Sequence, residues 1–194
     1  YYALIDGKRT AKHLYSQPCL SNPDVLRIMI EGIRSWLRDN PEARLVSVSQ
    51  NDSFVIGSYC TCPACRAVNE EEGAPSGSLI RFVNAVAESL EPEFPEVTFD
   101  TLAYQYSTQP PKLTHPRHNV AIRMCTGGCS SHPIPDCANN AGSADAIRGW
   151  SQICRQLYIW DYTTDFAQYL NPYPNFQTLQ DNIRFFRDHN VCGV

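Results

Sequence analysis

At 194 residues, with 43% hydrophobic and 19% charged, the chain has ordinary globular composition and enough apolar material for one sizeable core. A net charge of -4, a pI near 5.7 and no long run of like charges speak against nucleic acid or an anionic membrane as partners. That charge balance makes a neutral ligand such as a carbohydrate the better expectation, and no apolar stretch is long enough to span a bilayer.

Asn22-Pro23 opens the first helix, with Asn22 as N-cap and Pro23 in the first turn, and Val25, Ile28, Met29, Ile33, Trp36 and Leu37 form one apolar stripe. Asn40-Pro41 stops it. A buried, β-branched strand follows over 44–50. Ser76 is expected to cap a second helix whose inward face is Leu79, Phe82, Val83, Val86 and Leu90, closed by Pro92 and Pro95. Strands are expected over 97–104 and 119–124; the link between them holds Pro110, Pro111 and Pro116 and reads as an extended loop. A third helix starts at Ser143 with Ile147, Trp150 and Ile153 inward, a strand occupies 156–162, and a fourth helix from about 176 to 189 turns Leu179, Ile183 and Phe186 inward. A last strand covers 191–194.

Strands alternating with helices imply parallel pairing through right-handed crossovers, and the absence of a GxGxxG turn favours a barrel over a doubly wound sheet. The fold expected is therefore α/β, a partial (β/α) barrel of the TIM type with residues 1–194 as one domain. A whole barrel needs roughly 250 residues and eight strands. With five strands and no initiator Met, the chain is expected to be the C-terminal portion of a barrel, truncated at both ends, so the lack of a signal-peptide pattern in Tyr1–Thr10 says nothing about export of the parent protein.

In such folds chemistry sits beyond the carboxyl ends of the strands. Here those ends read Gln50-Asn51-Asp52, Tyr104-Gln105-Tyr106, Arg123 and Trp160-Asp161-Tyr162. Aromatic faces for stacking on pyranose rings, with amides and carboxyls for hydroxyl groups, are what a sugar site uses. Each piece has a plainer reading: Asn51-Asp52 as a turn or cap, Trp160-Asp161-Tyr162 as half core and half surface, Arg123 as the partner of a neighbouring carboxylate. Their coincidence at equivalent strand ends carries the functional reading.

Nine cysteines are many for a cytosolic enzyme and few for a disulfide-built domain, and they lean toward an exported or metal-holding protein. Two groups stand out, Cys60-Thr61-Cys62-Pro63-Ala64-Cys65 and Cys125, Cys129, His132 and Cys137. The three cysteines of the first are expected in one loop, where one of Cys125, Cys129 or Cys137 could complete a structural metal site; disulfides and free buried thiols stay open beside it. No base identifies any of them as a nucleophile. His13, His115, His118 and His189 read as surface or loop residues.

The stretches SVSQNDS (47–53), CTCPAC (60–65), EEEGAPSGSLIRFVNAVAE (70–88), DTLAYQY (100–106), LYIWDY (157–162) and NIRFFRDHNVCGV (182–194) together resemble the domain of unknown function 4838. That group includes glycoside hydrolase family 163, endo-acting β-N-acetylglucosaminidases on N-glycans. The resemblance implies a secreted or periplasmic glycosidase acting by substrate assistance, a recognised exception to the two-carboxylate rule. Laid on this chain it makes Asn51 the residue that orients the acetamide and Asp52 the acid that protonates the leaving oxygen. The strand-end reading adds Tyr104, Tyr106, Arg123, Trp160, Asp161 and Tyr162 as substrate-binding residues, with a glycan as partner and no cofactor. Members of that group continue past the last strand with a segment carrying a further glutamate, where this chain ends at Val194, and the first three strands have no counterpart here; the resemblance therefore implies that the fragment is inactive alone. The alternatives are a glycosidase of other specificity, a non-catalytic carbohydrate-binding barrel, and a zinc-stapled scaffold.

Overall fold

The computed structural model describes residues 1–9, 11, 16–53 and 57–194; His13 lies outside them. A short antiparallel hairpin comes first, β1 (Leu4–Ile5) with β2 (Lys8–Arg9). The body is a five-stranded, wholly parallel sheet of β3 (Leu45–Ser47), β4 (Thr98–Ala103), β5 (Val120–Cys125), β6 (Leu157–Trp160) and β7 (Val191–Gly193), lying side by side in chain order. Helix α1 (Pro23–Asp39) precedes the sheet, α2 (Pro63–Glu72) and α3 (Ser76–Leu90) join β3 to β4, α4 (Ala141–Ile153) joins β5 to β6, and α5 (Leu179–Asp188) joins β6 to β7.

Strand alternation divides the sheet into two unlike faces. Val46, Phe99, Ala103, Val120, Ile122, Met124, Leu157 and Ile159 form one buried cluster with Leu37, Phe82, Val83, Val86, Ile147, Trp150 and Phe186 from the helices. The other face carries Leu45, Thr98, Asp100, Ala121, Arg123, Gln156 and Tyr158 around an open cavity of about 290 Å³. A doubly wound sheet would have helices on both faces; helices on one face only, against a polar opposite face, is the plan of a partial (β/α) barrel.

Helix α1 starts where its capping residues dictate, the Asn22 side-chain oxygen accepting from the backbone N–H of Asp24 at 2.9 Å and of Val25 at 3.4 Å. Ile28 and Trp36 lie at the edge of its apolar stripe and stay exposed. Ser76 does not cap α3: it is the first helical residue, and its hydroxyl donates instead to the Gln109 carbonyl at 2.5 Å. Helix α4 begins two residues before Ser143, whose hydroxyl donates to the Gly127 carbonyl at 3.0 Å. On α5 the inward face is Asn182, Phe185 and Phe186 while Ile183 is exposed, because the Asn182 carboxamide turns in to accept from the Ile134 N–H at 2.8 Å. The proline-rich stretch between β4 and β5 is a loop after a single 3₁₀ turn at Gln105–Ser107, as its composition predicts. Helix α2 was not expected, since the cysteines at its start mask a short helical pattern.

Candidate functional site

The carboxyl ends of β3, β4, β5 and β6 enclose a pocket of about 260 Å³ lined by Gln50, Asp52, Leu102, Tyr104, Cys125, Trp160 and Tyr162. Its frame is a hydrogen-bonded knot between two strand ends. The Gln50 amide donates to the Tyr104 carbonyl at 2.7 Å and to the buried Ser107 hydroxyl at 2.9 Å, and that hydroxyl accepts from the Tyr104 N–H at 3.1 Å. The knot forces Gln105 to a left-handed φ of 53°, a conformation rare outside glycine that the surrounding bonds hold in place. The Gln50 Oε1 atom is buried and has no hydrogen-bond partner among the described residues.

Of the residues expected to build the site, Asp52, Tyr104, Trp160 and Tyr162 meet in this pocket. Asn51 does not line it. Its side-chain amide donates to the Ser16 carbonyl, and its backbone forms a pair with the Gln17 carboxamide, donating to Oε1 at 3.1 Å and accepting from Nε2 at 2.7 Å. The expectation that both residues past the strand end turn to the rim thus gives way to continued alternation, with Gln50 and Asp52 on one side and Asn51 between them on the other. Tyr106 is also elsewhere, its ring 5.4 Å from that of Tyr59, and burial pushes its phenol well above the usual range.

Arg123 fulfils its plainer reading. It pairs with the buried Asp100 at 2.8 Å on the open face of the sheet, and its guanidinium sits 5.9 Å from the Trp160 ring centre, where it steadies that side chain. Asp161 accepts from the Thr126 hydroxyl at 2.6 Å and from the Tyr162 N–H at 3.0 Å. It belongs to a second, smaller cavity of about 80 Å³ together with Gly127, Gly128, Asn140, Asn175 and Thr178, and Tyr162 is the wall common to both.

Burial dominates the electrostatics of the main pocket. It pushes the Cys125 thiol up to about 11, against the pull of Arg123 and with Asp52 adding to the rise. Burial likewise raises the Tyr162 phenol, helped by Cys125, Tyr104 and Asp52. Near neutral pH both groups therefore stay protonated, and Asp52, which is exposed to solvent, is the only carboxylate among the pocket's described residues. Such a pocket offers neutral donors, two kinds of aromatic face and one acid or base.

Gln50, Ser107 and Cys125 were not chosen from sequence. Gln50 could have been found by taking i and i+2 at the strand end instead of adjacent residues. Ser107 announces itself in no pattern, because its role depends on a tertiary contact.

Among the described residues, two groups of side chains could hold a metal. Cys60, Cys62 and Cys65 gather with Cys19, not with Cys125, Cys129 or Cys137, and all four are buried with their sulfurs within 4.8 Å of one another. They are not in one loop: Cys62 caps α2, Cys65 lies in its first turn, and Cys19 precedes α1. Cys129, His132 and Cys137 form a more exposed trio. Hydrogen bonding with the His132 ring, 3.2 Å away, pulls the Cys129 thiol down to about 7. Of the remaining histidines, His118 pairs with Glu91 at 3.0 Å and His189 bonds the Phe185 carbonyl at 2.8 Å, so neither approaches the pocket.

The fold and the pocket define an α/β protein with a parallel sheet, covered by helices on one face and carrying a strand-end cleft of aromatic, amide and carboxyl groups. More particularly, the chain belongs to the family described as a domain of unknown function (DUF4838), whose model matches residues 1–194. No curated protein and no solved structure matches it. Among the described residues no helix is long and apolar enough to cross a membrane.

Proposed function

We propose that this chain carries the catalytic pocket of a glycoside hydrolase acting on N-acetylglucosamine-containing glycans. The observation that carries the reading is the pocket at the strand ends, where one carboxylate, Asp52, shares the lining with Trp160, Tyr104, Tyr162 and Gln50, whose carboxamide oxygen has no partner among the described residues. Two-carboxylate glycosidases need a second acid across the sugar, whereas a single carboxylate suits a substrate that brings its own nucleophile. The acetamide carbonyl oxygen attacks the anomeric carbon as the bond to the leaving oxygen breaks, and Asp52 supplies the proton that oxygen takes up. Water then opens the cyclic intermediate, giving its proton back to Asp52 and retaining the anomeric configuration. The acetamide N–H, which grows acidic during attack, needs a buried acceptor. Gln50 Oε1 fills that role in place of Asn51, and Trp160, about half exposed, presents the stacking face. We further propose that strands beyond the two sheet edges complete the barrel in the whole protein.

A non-catalytic carbohydrate-binding barrel is favoured by one observation, the solvent exposure of Asp52. Hydrolysis of a chitobiose-core glycan by the whole protein separates the two. Asp52→Asn should cost on the order of 10² to 10⁴ in rate with binding intact, while Trp160→Ala should mainly weaken binding. Near wild-type turnover by Asp52→Asn removes Asp52 as the acid, and binding without turnover in the wild type establishes the binding module.

A further inference from the structure

We infer that Cys19, Cys60, Cys62 and Cys65 form a tetrathiolate zinc site that fastens the N-terminal segment to the start of α2. The four sulfurs come from two separate stretches of chain, and each cysteine is 5% exposed or less. Cys19 lies 3.5 Å from Cys60 and 3.7 Å from Cys62, sulfur to sulfur. With zinc–sulfur bonds of about 2.3 Å, the edge of a regular tetrahedron is about 3.8 Å, so the cluster is already at ligand spacing. Disulfides would gather the sulfurs as separate bonded pairs; here all four converge on one centre and all are free thiols.

The surroundings are those of a thiolate centre. The Leu4 N–H donates to the Cys60 sulfur at 3.2 Å, and the Ser21 hydroxyl lies 3.4 Å from Cys19, 3.5 Å from Cys62 and 3.2 Å from Cys65. The Arg9 guanidinium sits against Cys19 and Cys62. Binding releases four protons from four thiols and leaves a net charge of -2 on the centre, which N–H and O–H donors and a nearby cation stabilise. Packing alone does not explain the cluster. It is a small core of Ala3 and the four cysteines, with Leu4 and Ile5 beside it, separate from the main core. A hairpin with two-residue strands has little stability of its own, and so small a core adds little to it. A structural zinc ion supplies that free energy directly.

The site also reaches the pocket. Gln17, two residues before Cys19, holds both backbone groups of Asn51, and Asn51 is the neighbour of Asp52. Zinc would therefore position the candidate acid without touching substrate.

The test is metal content and cobalt exchange on the purified chain. One zinc per chain should survive gel filtration with chelator, in the wild type and in Cys129→Ser/Cys137→Ser, which removes the more exposed trio. Cobalt in its place should give the intense sulfur-to-metal absorption of a four-thiolate tetrahedron, weakened by Cys19→Ser. Should that variant fail to fold, alkylation of the wild type decides: these four cysteines should resist until zinc is stripped and then react together. A chain without bound metal, iron in place of zinc, or zinc lost with Cys129 and Cys137 but kept by Cys19→Ser would each overturn the assignment.

Discussion

Gln50, Asn51 and Asp52 are consecutive residues with three different environments. Gln50 is locked by Tyr104 and Ser107 with one oxygen left over, Asn51 is bound to the N-terminal segment, and Asp52 faces the pocket. Their substitutions should separate accordingly. Asn51→Ala removes only a bond to a backbone carbonyl, so it should slow all glycan substrates alike, by a few-fold, and lower the melting temperature. Gln50→Glu should act on the N-acetyl group: it keeps an acceptor oxygen but loses the amide that donates to Tyr104 and Ser107. Relative kcat/KM on matched substrates with and without the acetamide reads the difference, and selective loss in Asn51→Ala would restore the acetamide role to Asn51. The strand ends were legible in the sequence because β-branched runs and their polar termini are local patterns. Which of two adjacent polar residues faces the pocket was not, since Gln17 and Ser16, thirty-odd residues away, decide it.

At the scale of elements, the missing crossover helix between β4 and β5 is replaced by a polar clamp. Glu72, at the end of α2 and fully buried, accepts from the backbone N–H of Leu113 at 2.9 Å and of Thr114 at 3.0 Å, from the Thr114 hydroxyl, and from Arg81 of α3 at 2.8 Å. Trp150 of α4 donates to the Thr108 carbonyl at 2.8 Å, holding the same loop from the other side. Gly77 makes room for the clamp: a Cβ there would lie 2.4 Å from the Glu72 Cβ and Cγ. Burial alone would raise the Glu72 pKa, but the bonds from Thr114, Leu113 and Arg81 outweigh it and hold the carboxyl at about 2, against an ordinary 4.5. A folded value below the unfolded one means stability that is fully present above pH 4.5 and lost as pH falls toward 2. It amounts to on the order of 3 kcal/mol. Glu72→Gln should destabilise the protein at neutral pH and flatten that acid limb in urea titrations; an unchanged limb would show that other carboxylates govern it. Proline spacing revealed the loop in the sequence, but its anchor came from a glutamate forty residues earlier and could not be seen.

For the molecule as a whole, the alternation of helix and strand was legible from α3 onward and in α1 and β3, since each period is set by neighbours in the chain. The N-terminal hairpin and α2 were not, because both depend on the cysteine cluster, whose members Cys19 and Cys60 to Cys65 only meet in space. Both sheet edges, β3 and β7, are only three residues long, which limits pairing with stray strands. A wholly parallel sheet has one more consequence, for the order in which the chain assembles. Paired residues are never close in sequence: Leu45 meets Thr98, 98 − 45 = 53 positions on, Ile122 meets Leu157 at 157 − 122 = 35, and Phe99 meets Val120 at 120 − 99 = 21. Closing the shortest of these loops costs least entropy, so β4 and β5 should pair first and β3 should join late. In stopped-flow refolding, Ile122→Val should slow folding, whereas Val46→Ala should chiefly speed unfolding. The reverse pattern would place the nucleus at the edge of the sheet. The late strand is the one that delivers Asp52, so the candidate acid reaches its pocket only after the rest of the sheet has formed.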